Sequence, residues 1–454
     1  MSSARSPIRY PDARSAPVMT KRAWWLVVLN TVLPGSPQVL AGNRKLGRFG
    51  LRLTLAVLTL GIAVGVAWVL WPQVVLTVFT STIGLWVAAL ALAFCAVAWA
   101  VLSIDTIRLA RLVRTSPKAR PIIAGLAVVL MAFTSGTAAY GAYVATTASG
   151  FLSSVFSAGP SEPPVDGRYN ILLLGGDAGP GRDGLRPDSI SVVSIDAKTG
   201  QATMIGLPRD LENVPFPADS PLADIYPEGY GAIDGCDVSA CMLNSIYTEM
   251  ELKRPELYPD AAAQASSPGI EAMRDAAQGV TGLSIQYYVL IDMQGFTDLI
   301  DALGGVDINV KERLPIGGDE QFNNVDGWVE AGQQHMDGYT ALWYGRARHG
   351  TSDYDRMARQ RVLQEAILKQ FNPANVLTKF QAVATAGAQV VKTDVPQGML
   401  GYFVDLASKT KKQPINSVEL VPENDVKPED PDYDYIRSLI DKALAPPASP
   451  TPAP

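Results

Sequence analysis

IQYYVLIDMQGFTDLIDALGGVDINV, residues 285–310, decides the fold. IQYYVLIDM (285–293) is rich in aromatic and β-branched residues and reads as a strand. QGFTDLIDALGG (294–305) has apolar residues at helical spacing and ends on two glycines, a helix stop. VDINV (306–310) alternates and reads as a strand again. Strand, helix and strand in one run argue for an α/β domain. Upstream, SPGIEAMRDAAQGVTG (267–282) is a second helix with a glycine stop. YNILLLGGD (169–177) is a buried strand ending in glycines and an aspartate. ISVVSID (190–196) and QATMIGLPRD (201–210) flank the turn AKTG closely enough for a hairpin. Downstream come helices between 356 and 411, a strand at NSVELV (416–421) and a helix at 433–444. The expected fold is a mixed central sheet flanked by helices, over residues 169–444.

The N-terminal third differs. Residues 1–146 carry fourteen Lys and Arg against two acidic residues, a net of +12, while the remaining chain has a net of −18. Apolar runs at 53–71, 74–104 and 121–146 have about the ~20 residues that span a bilayer. Arg44, Lys45, Arg48 and Arg52 precede the first, and Arg108, Arg111, Arg114, Lys118 and Arg120 separate the second and third. Positive loops stay cytoplasmic, so residues 1–22 are expected inside and everything beyond about 146 outside, in a multi-pass cell-membrane protein. The stretch 23–42 has basic flanks on both sides and contains Asn30, Pro34, Gly35 and Pro37. It either spans or re-enters; re-entry meets the charge rule better. It is not read as a cleavable signal peptide, because apolar runs follow it. Residues 147–168 read as a linker and 445–454 as a disordered Pro-rich tail.

The acidic soluble part is a poor match for nucleic acid. The two histidines, His335 and His349, exclude a His-rich metal site. Cys95 lies in an apolar run and reads as packing. Cys236 and Cys241, on the expected outer side, favour a disulfide over two free thiols.

Against this acidic background, YGRARHGTSDYDRMARQR (344–361) packs five arginines into eighteen residues. Arg346 and Arg348 sit two apart, which on a strand aims both at one face. Asp353, Asp355 and Arg356 then open a helix. A guanidinium fork suits phosphate oxygens, so the corner reads as a cradle for an anionic group, against the alternative of a salt-bridged surface. Arg274 and Arg437, outside any motif, read as surface arginines.

Four segments taken together, LLLGGDAGPGRDGLRPDSISVVSID (172–196), GLPRD (206–210), GFTDLIDALGGVDINV (295–310) and YGRARHGTSDYDRMARQR, resemble the LytR–CpsA–Psr family of cell-wall glycopolymer ligases, across most of 169–372. The three-span membrane part looks like that of actinobacterial members. The resemblance implies an extracytoplasmic phosphotransferase that attaches a glycopolymer from a polyprenyl-pyrophosphate carrier to peptidoglycan through a phosphodiester. It implies a lipid tail in an apolar tunnel between sheet and helices, and Mg²⁺ on the pyrophosphate. Asp177 and Asp188 match the family's metal carboxylates, which fits the oxygen ligands Mg²⁺ takes. Arg186 and Arg209 match phosphate-binding arginines, and Arg346 and Arg348 the pyrophosphate clamp. Asp353, Asp355, Arg356, Arg359 and Gln360 fall where head-group and supporting residues lie, with Arg182 a weaker candidate. The chain departs from the pattern at RPD (186–188) in place of RSD, at Asp355 in place of glycine, and at MLNSIYTEM (242–250), which keeps Asn244 and Tyr247 without a glycine pair. No catalytic base stands out. A pyrophosphatase using water, or a non-catalytic membrane envelope regulator, would use the same residues; phosphate release with and without an acceptor separates these readings.

Overall fold

The structure, a computed structural model, describes residues 8–177, 186–233, 235–319, 321–347, 352–370 and 391–445. The chain divides into two compact units, Met1–Gly150 and Phe151–Pro454.

The first unit is helical: α1 (Ala16–Val32), α2 (Ser36–Ala41), α3 (Arg44–Leu70), α4 (Pro72–Thr80), α5 (Thr82–Ala110) and α6 (Ala119–Val155). Among the described residues three helical stretches are long and apolar enough to cross a membrane: Arg44–Leu70, Thr82–Arg114 and Ala119–Val155. The stretch 23–42 is broken: α1 ends at Val32, and Gly35 takes a left-handed turn (φ 101°) into α2. Its polar residues find partners on α5. Asn30 Nδ2 donates to Ser103 Oγ (3.0 Å), Thr106 Oγ1 donates to Asn30 Oδ1 (3.1 Å), and Gln38 Nε2 donates to the Leu102 carbonyl (2.8 Å). In an apolar surrounding such groups are tolerated only when paired. The run 74–104, expected as one span, is divided: α4 ends at Thr80, and Ser81 accepts from the Gly84 amide (3.0 Å) to cap α5. The linker expected at 147–168 is also corrected. Helix α6 continues to Val155, and beyond it Ser157 donates its amide to the Val395 carbonyl (3.1 Å) and Glu162 to the Tyr287 hydroxyl (2.8 Å).

The second unit holds β1 (Arg168–Asp177), β2 (Arg186–Asp196), β3 (Ala202–Leu207), α7 (Pro221–Ile225), α8 (Leu243–Leu252), α9 (Pro268–Thr281), β4 (Tyr287–Asp292), α10 (Met293–Leu303), β5 (Val306–Val310), β6 (Leu314–Gly317), β7 (Val325–Val329), β8 (Gly332–Met336), α11 (Gly338–Arg346), α12 (Asp353–Gln370), β9 (Val391–Thr393) and β10 (Asn416–Glu419), with further helices at Leu400–Thr410 and Tyr433–Leu444. The central sheet has the order β10-β3-β2-β1-β4-β9. β1–β4 and β3–β10 pair in parallel and the rest antiparallel, the mixed sheet expected. VDINV is a strand but stands apart from this sheet. Gly304 and Gly305, both at positive φ, turn the chain away after α10, and β5 pairs with β8 in a separate ladder. Sequence reading missed β6, β7 and β8.

Period-two alternation gives the sheet two different faces. Leu172, Leu174, Ile190, Val192, Tyr288 and Leu290 pack one face into the main core with α8, α9 and the C-terminal helix. Ile171, Leu173, Val193, Ile195, Val289 and Ile291 point the other way, toward a cavity roofed by α10, α11 and α12.

Candidate active site at the mouth of an apolar cavity

This cavity measures about 1300 Å³. Its floor is the odd-numbered face of the sheet; Phe296, Leu299, Leu363 and Ile367 contribute the roof. At one end the lining turns polar, with Arg186, Asp188, Arg209, Asn244, Arg346 and Gln360.

Backbone irregularity aims the first of these. Gly175 pairs with Ser189 but Gly176 pairs with Pro187, so Asp188 is the extra residue of a β-bulge. Bulges redirect a side chain at the cost of one ladder contact. Asp177 is the last residue of β1, opposite Arg186, where the sequence reading ends its first strand; Asp188 lies within β2, which starts at Arg186 and not at Ile190.

Arg209, two residues past β3, ties the mouth together. Its Nη1 donates to Asp188 Oδ1 (2.8 Å), and its Nε and Nη2 donate to Asp353 Oδ2 (3.2 and 3.0 Å). Burial disfavours its charge, but the two carboxylates outweigh this and raise its pKa. Arg186 reaches Ser239 Oγ (3.4 Å).

Arg346 is not on a strand, which corrects the period-two argument: it is the last residue of α11. The corner is therefore helix to helix. The tight packing of Tyr344 and Gly345 against the neighbouring core favours helix over the extended alternation that RAR suggests. Arg348 and His349, with Arg182, lie outside the described residues. The end of α11 is held by α12: Arg359 Nε donates to the Tyr344 carbonyl (3.1 Å), its Nη2 donates to that of Ala347, and Gln360 Nε2 donates to that of Gly345 (3.3 Å). Terminal helix carbonyls need such donors. Arg359 and Gln360 thus position Arg346, and burial lowers the Arg359 pKa. Arg356 is buried beneath the mouth, 3.8 Å from Asp353. Asp355 lines the cavity and also caps a helix. Its Oδ2 accepts from the Ser352 amide and hydroxyl (both 2.8 Å), and Ser352 Oγ accepts from the Asp355 amide (3.1 Å), a capping box at the start of α12.

The disulfide expected between Cys236 and Cys241 is present. It closes the loop that carries Ser239, and Asn244 follows it, its amide donating to the Arg209 carbonyl (3.0 Å). Trp343, Ser352 and Gln364 also border the cavity and were not singled out from sequence. The spacing of Trp343 and Arg346 on one helix was the available signal. Arg274, read as a surface residue, is buried against Asp394 (2.5 Å) and Glu271 (3.2 Å). Arg437 donates to the Gly279 carbonyl (2.6 Å).

The family model of the LytR_cpsA_psr family matches residues 139–438. Cell wall biosynthesis protein LcpA of Corynebacterium glutamicum is 26% identical over 266 residues, 53% of this chain and 48% of that protein. Polyisoprenyl-teichoic acid–peptidoglycan teichoic acid transferase TagU of Bacillus mycoides is 26% identical over 235 residues, 51% of this chain and 62% of that protein. The chain thus spans about half to three fifths of the length of these relatives. Among solved structures, B. subtilis TagV is similar at 20% identity and a TM-score of 0.42, covering 61% of this chain and 97% of that one. Because the match at 139–438 takes in most of the chain, both sides of the cavity included, this protein belongs to the LytR_cpsA_psr family.

Proposed function

We propose that this protein transfers a glycopolymer from a polyprenyl-pyrophosphate carrier to a peptidoglycan hydroxyl, outside the membrane. One observation carries the reading: a largely apolar cavity of about 1300 Å³ has arginines and carboxylates in its polar lining. Such a site suits an amphiphile with an apolar tail and an anionic head. The similarity to LcpA, a cell wall biosynthesis protein, and to TagU, a teichoic acid transferase, supports it.

In the proposed reaction the acceptor hydroxyl oxygen attacks the phosphorus next to the sugar. The bond from that phosphorus to the bridging oxygen breaks, and polyprenyl monophosphate leaves. The hydroxyl proton passes to a mouth carboxylate or to water. Arg186, Arg209 and Arg346, with Arg348, offset charge on the transferred and leaving phosphates, the term that dominates phosphoryl transfer. Arg356, Arg359, Gln360 and Asp353 hold them in place. Asp177 and Asp188 would hold Mg²⁺, which supplies further neutralisation of the pyrophosphate. The donor set fits, since Mg²⁺ on phosphates takes one or two carboxylates, phosphate oxygens and water. Among the described residues no cluster of three or more acidic, His or Cys side chains forms a protein-only cage.

The test is transfer by the full chain in detergent from a synthetic polyprenyl-pyrophosphate glycan to peptidoglycan fragments. A phosphodiester-linked product and polyprenyl monophosphate are expected. Release of monophosphate at equal rate without acceptor would make it a pyrophosphatase. Binding without turnover would make it a regulator.

A further inference from the structure

Helix α11 does more than deliver Arg346. Tyr339, Trp343 and Arg346 are spaced i, i+4 and i+7, which at about 100° per residue puts them on one stripe. Ala341, Tyr344 and Gly345 occupy the opposite side and are buried, while Trp343 is partly buried at the edge of that core. The contacts are continuous. The Tyr339 and Trp343 rings lie 6.3 Å apart in an edge arrangement, and the Arg346 guanidinium lies 5.6 Å from the Trp343 ring centre. Trp343 and Arg346 border the cavity, while Tyr339 is 49% exposed.

The stripe is also fixed in rotation. At its start, the Gly338 amide donates to Asp301 Oδ1 (2.8 Å), and a Cβ there would run into the Thr297 carbonyl. At its end, Arg359 and Gln360 hold the last carbonyls. A surface held this way pays little ordering cost on binding.

We infer that Tyr339 and Trp343 form a stacking platform for the sugar joined to the pyrophosphate, so that α11 reads the donor glycan as well as its phosphate. This rests on the proposed function. Prenyl carbon gains by leaving water and has the apolar cavity for that; a half-exposed tyrosine offers it little shelter. A sugar ring has an apolar C–H face and hydroxyl edges, and matches an aromatic surface that is apolar in its plane and wet at its rim. The sugar is bonded to the phosphate that Arg346 addresses, and Trp343 is the next side chain along the stripe.

The experiment measures calorimetric affinity of the full chain in detergent for two ligands, polyprenyl pyrophosphate with and without one disaccharide. Tyr339→Ala, Trp343→Phe and Trp343→Ala are compared with wild type. Tyr339 is exposed, so its variant stays informative if Trp343→Ala fails to fold. Tyr339→Ala should weaken the sugar-bearing ligand about 5-fold, in the range of one aromatic contact, and leave the sugar-free ligand unchanged. Trp343→Ala, which also touches the cavity and Arg346, should weaken the sugar-bearing ligand by a larger factor than the sugar-free one, with Trp343→Phe between. Equal weakening of both ligands would place the stripe in the lipid chamber and overturn the inference. So would no change in either. Failure of wild type to bind either ligand would instead overturn the proposed function.

Discussion

One guanidinium at Arg209 holds carboxylates from two distant parts of the chain, Asp188 on β2 and Asp353 at the start of α12. The side chains are about 30% exposed, so the pairs add little to stability, about 1 kcal/mol or less each. Their value is geometric: they set where the bulged Asp188 and the α12 start lie. Arg209→Ala is therefore expected to lower transfer kcat/KM by about 100-fold or more with only a small drop in melting temperature. Arg209→Lys should not rescue, because an ammonium cannot span both carboxylates with a fork. Wild-type rates in Arg209→Lys would mean the bridge is dispensable. Asp355 makes a contrasting prediction. Hydrogen bonds from Ser352 hold its pKa below the ordinary carboxylate value. A lowered folded pKa means the cap is fully present above the unfolded pKa of about 3.9 and fades as pH falls through the folded value. The gap in melting temperature between wild type and Asp355→Ala should be clear at pH 6 and narrow as the pH falls below about 4. A gap that persists unchanged in acid would show that the carboxylate charge does not make the cap.

At the scale of elements, the disulfide loop reaches from the core to the mouth. Glu249 on α8 is wholly buried and accepts from the Tyr226 (2.6 Å) and Tyr230 (2.5 Å) hydroxyls. Burial, then these bonds, pushes both tyrosine pKa values up. Arg254, 3.6 Å from Glu249, donates to Asp237 (2.6 Å) inside the disulfide loop, and Ser239 in that loop meets Arg186. Gly231 lets the chain pass close to Cys241, where a Cβ would collide. Replacing both cysteines, Cys236→Ser with Cys241→Ser, should leave the unit folded, since Arg254 and the Leu243 amide to the Leu211 carbonyl (2.9 Å) still anchor the segment. The carrier KM should rise several-fold with kcat nearly unchanged. Unaltered kinetics would show that the loop does not steady Arg186. Much of this level was legible. Long periodic segments such as 267–282, 294–305 and 433–444 are helices in the structure, because apolar spacing and glycine stops dictate them locally. The short strands β6–β8 were not, since nothing in four or five residues distinguishes a ladder from a loop without its partner. Residue types marked Arg186, Asp188, Arg209, Arg346 and Gln360, which line one cavity. They could not tell that Arg346 ends a helix, that Asp188 sits in a bulge, or that Asp355 caps, because those depend on hydrogen bonds made across the fold.

Across the whole chain, charge is the widest-ranging signal. The basic residues of the first 146 positions cluster at Arg44–Arg52 and Arg108–Arg120, the two ends that frame α3 and α5. Loops of this kind are retained in the cytoplasm. If both are inside, α3 leads out, α5 returns and α6 leads out again, so the second unit, with its cavity, is expected outside. The prediction is that Asp430→Cys reacts with an impermeant thiol reagent in intact cells. Position 430 is exposed on the second unit. The background is low, because Cys95 is buried and Cys236 and Cys241 are paired. Labelling at 430 before lysis places the arginine-lined mouth on the side where peptidoglycan acceptors are available. Labelling only after lysis would reverse the topology. It would also remove the proposed reaction, since a carrier-linked glycan and its acceptor would then meet on the side of the membrane away from this site.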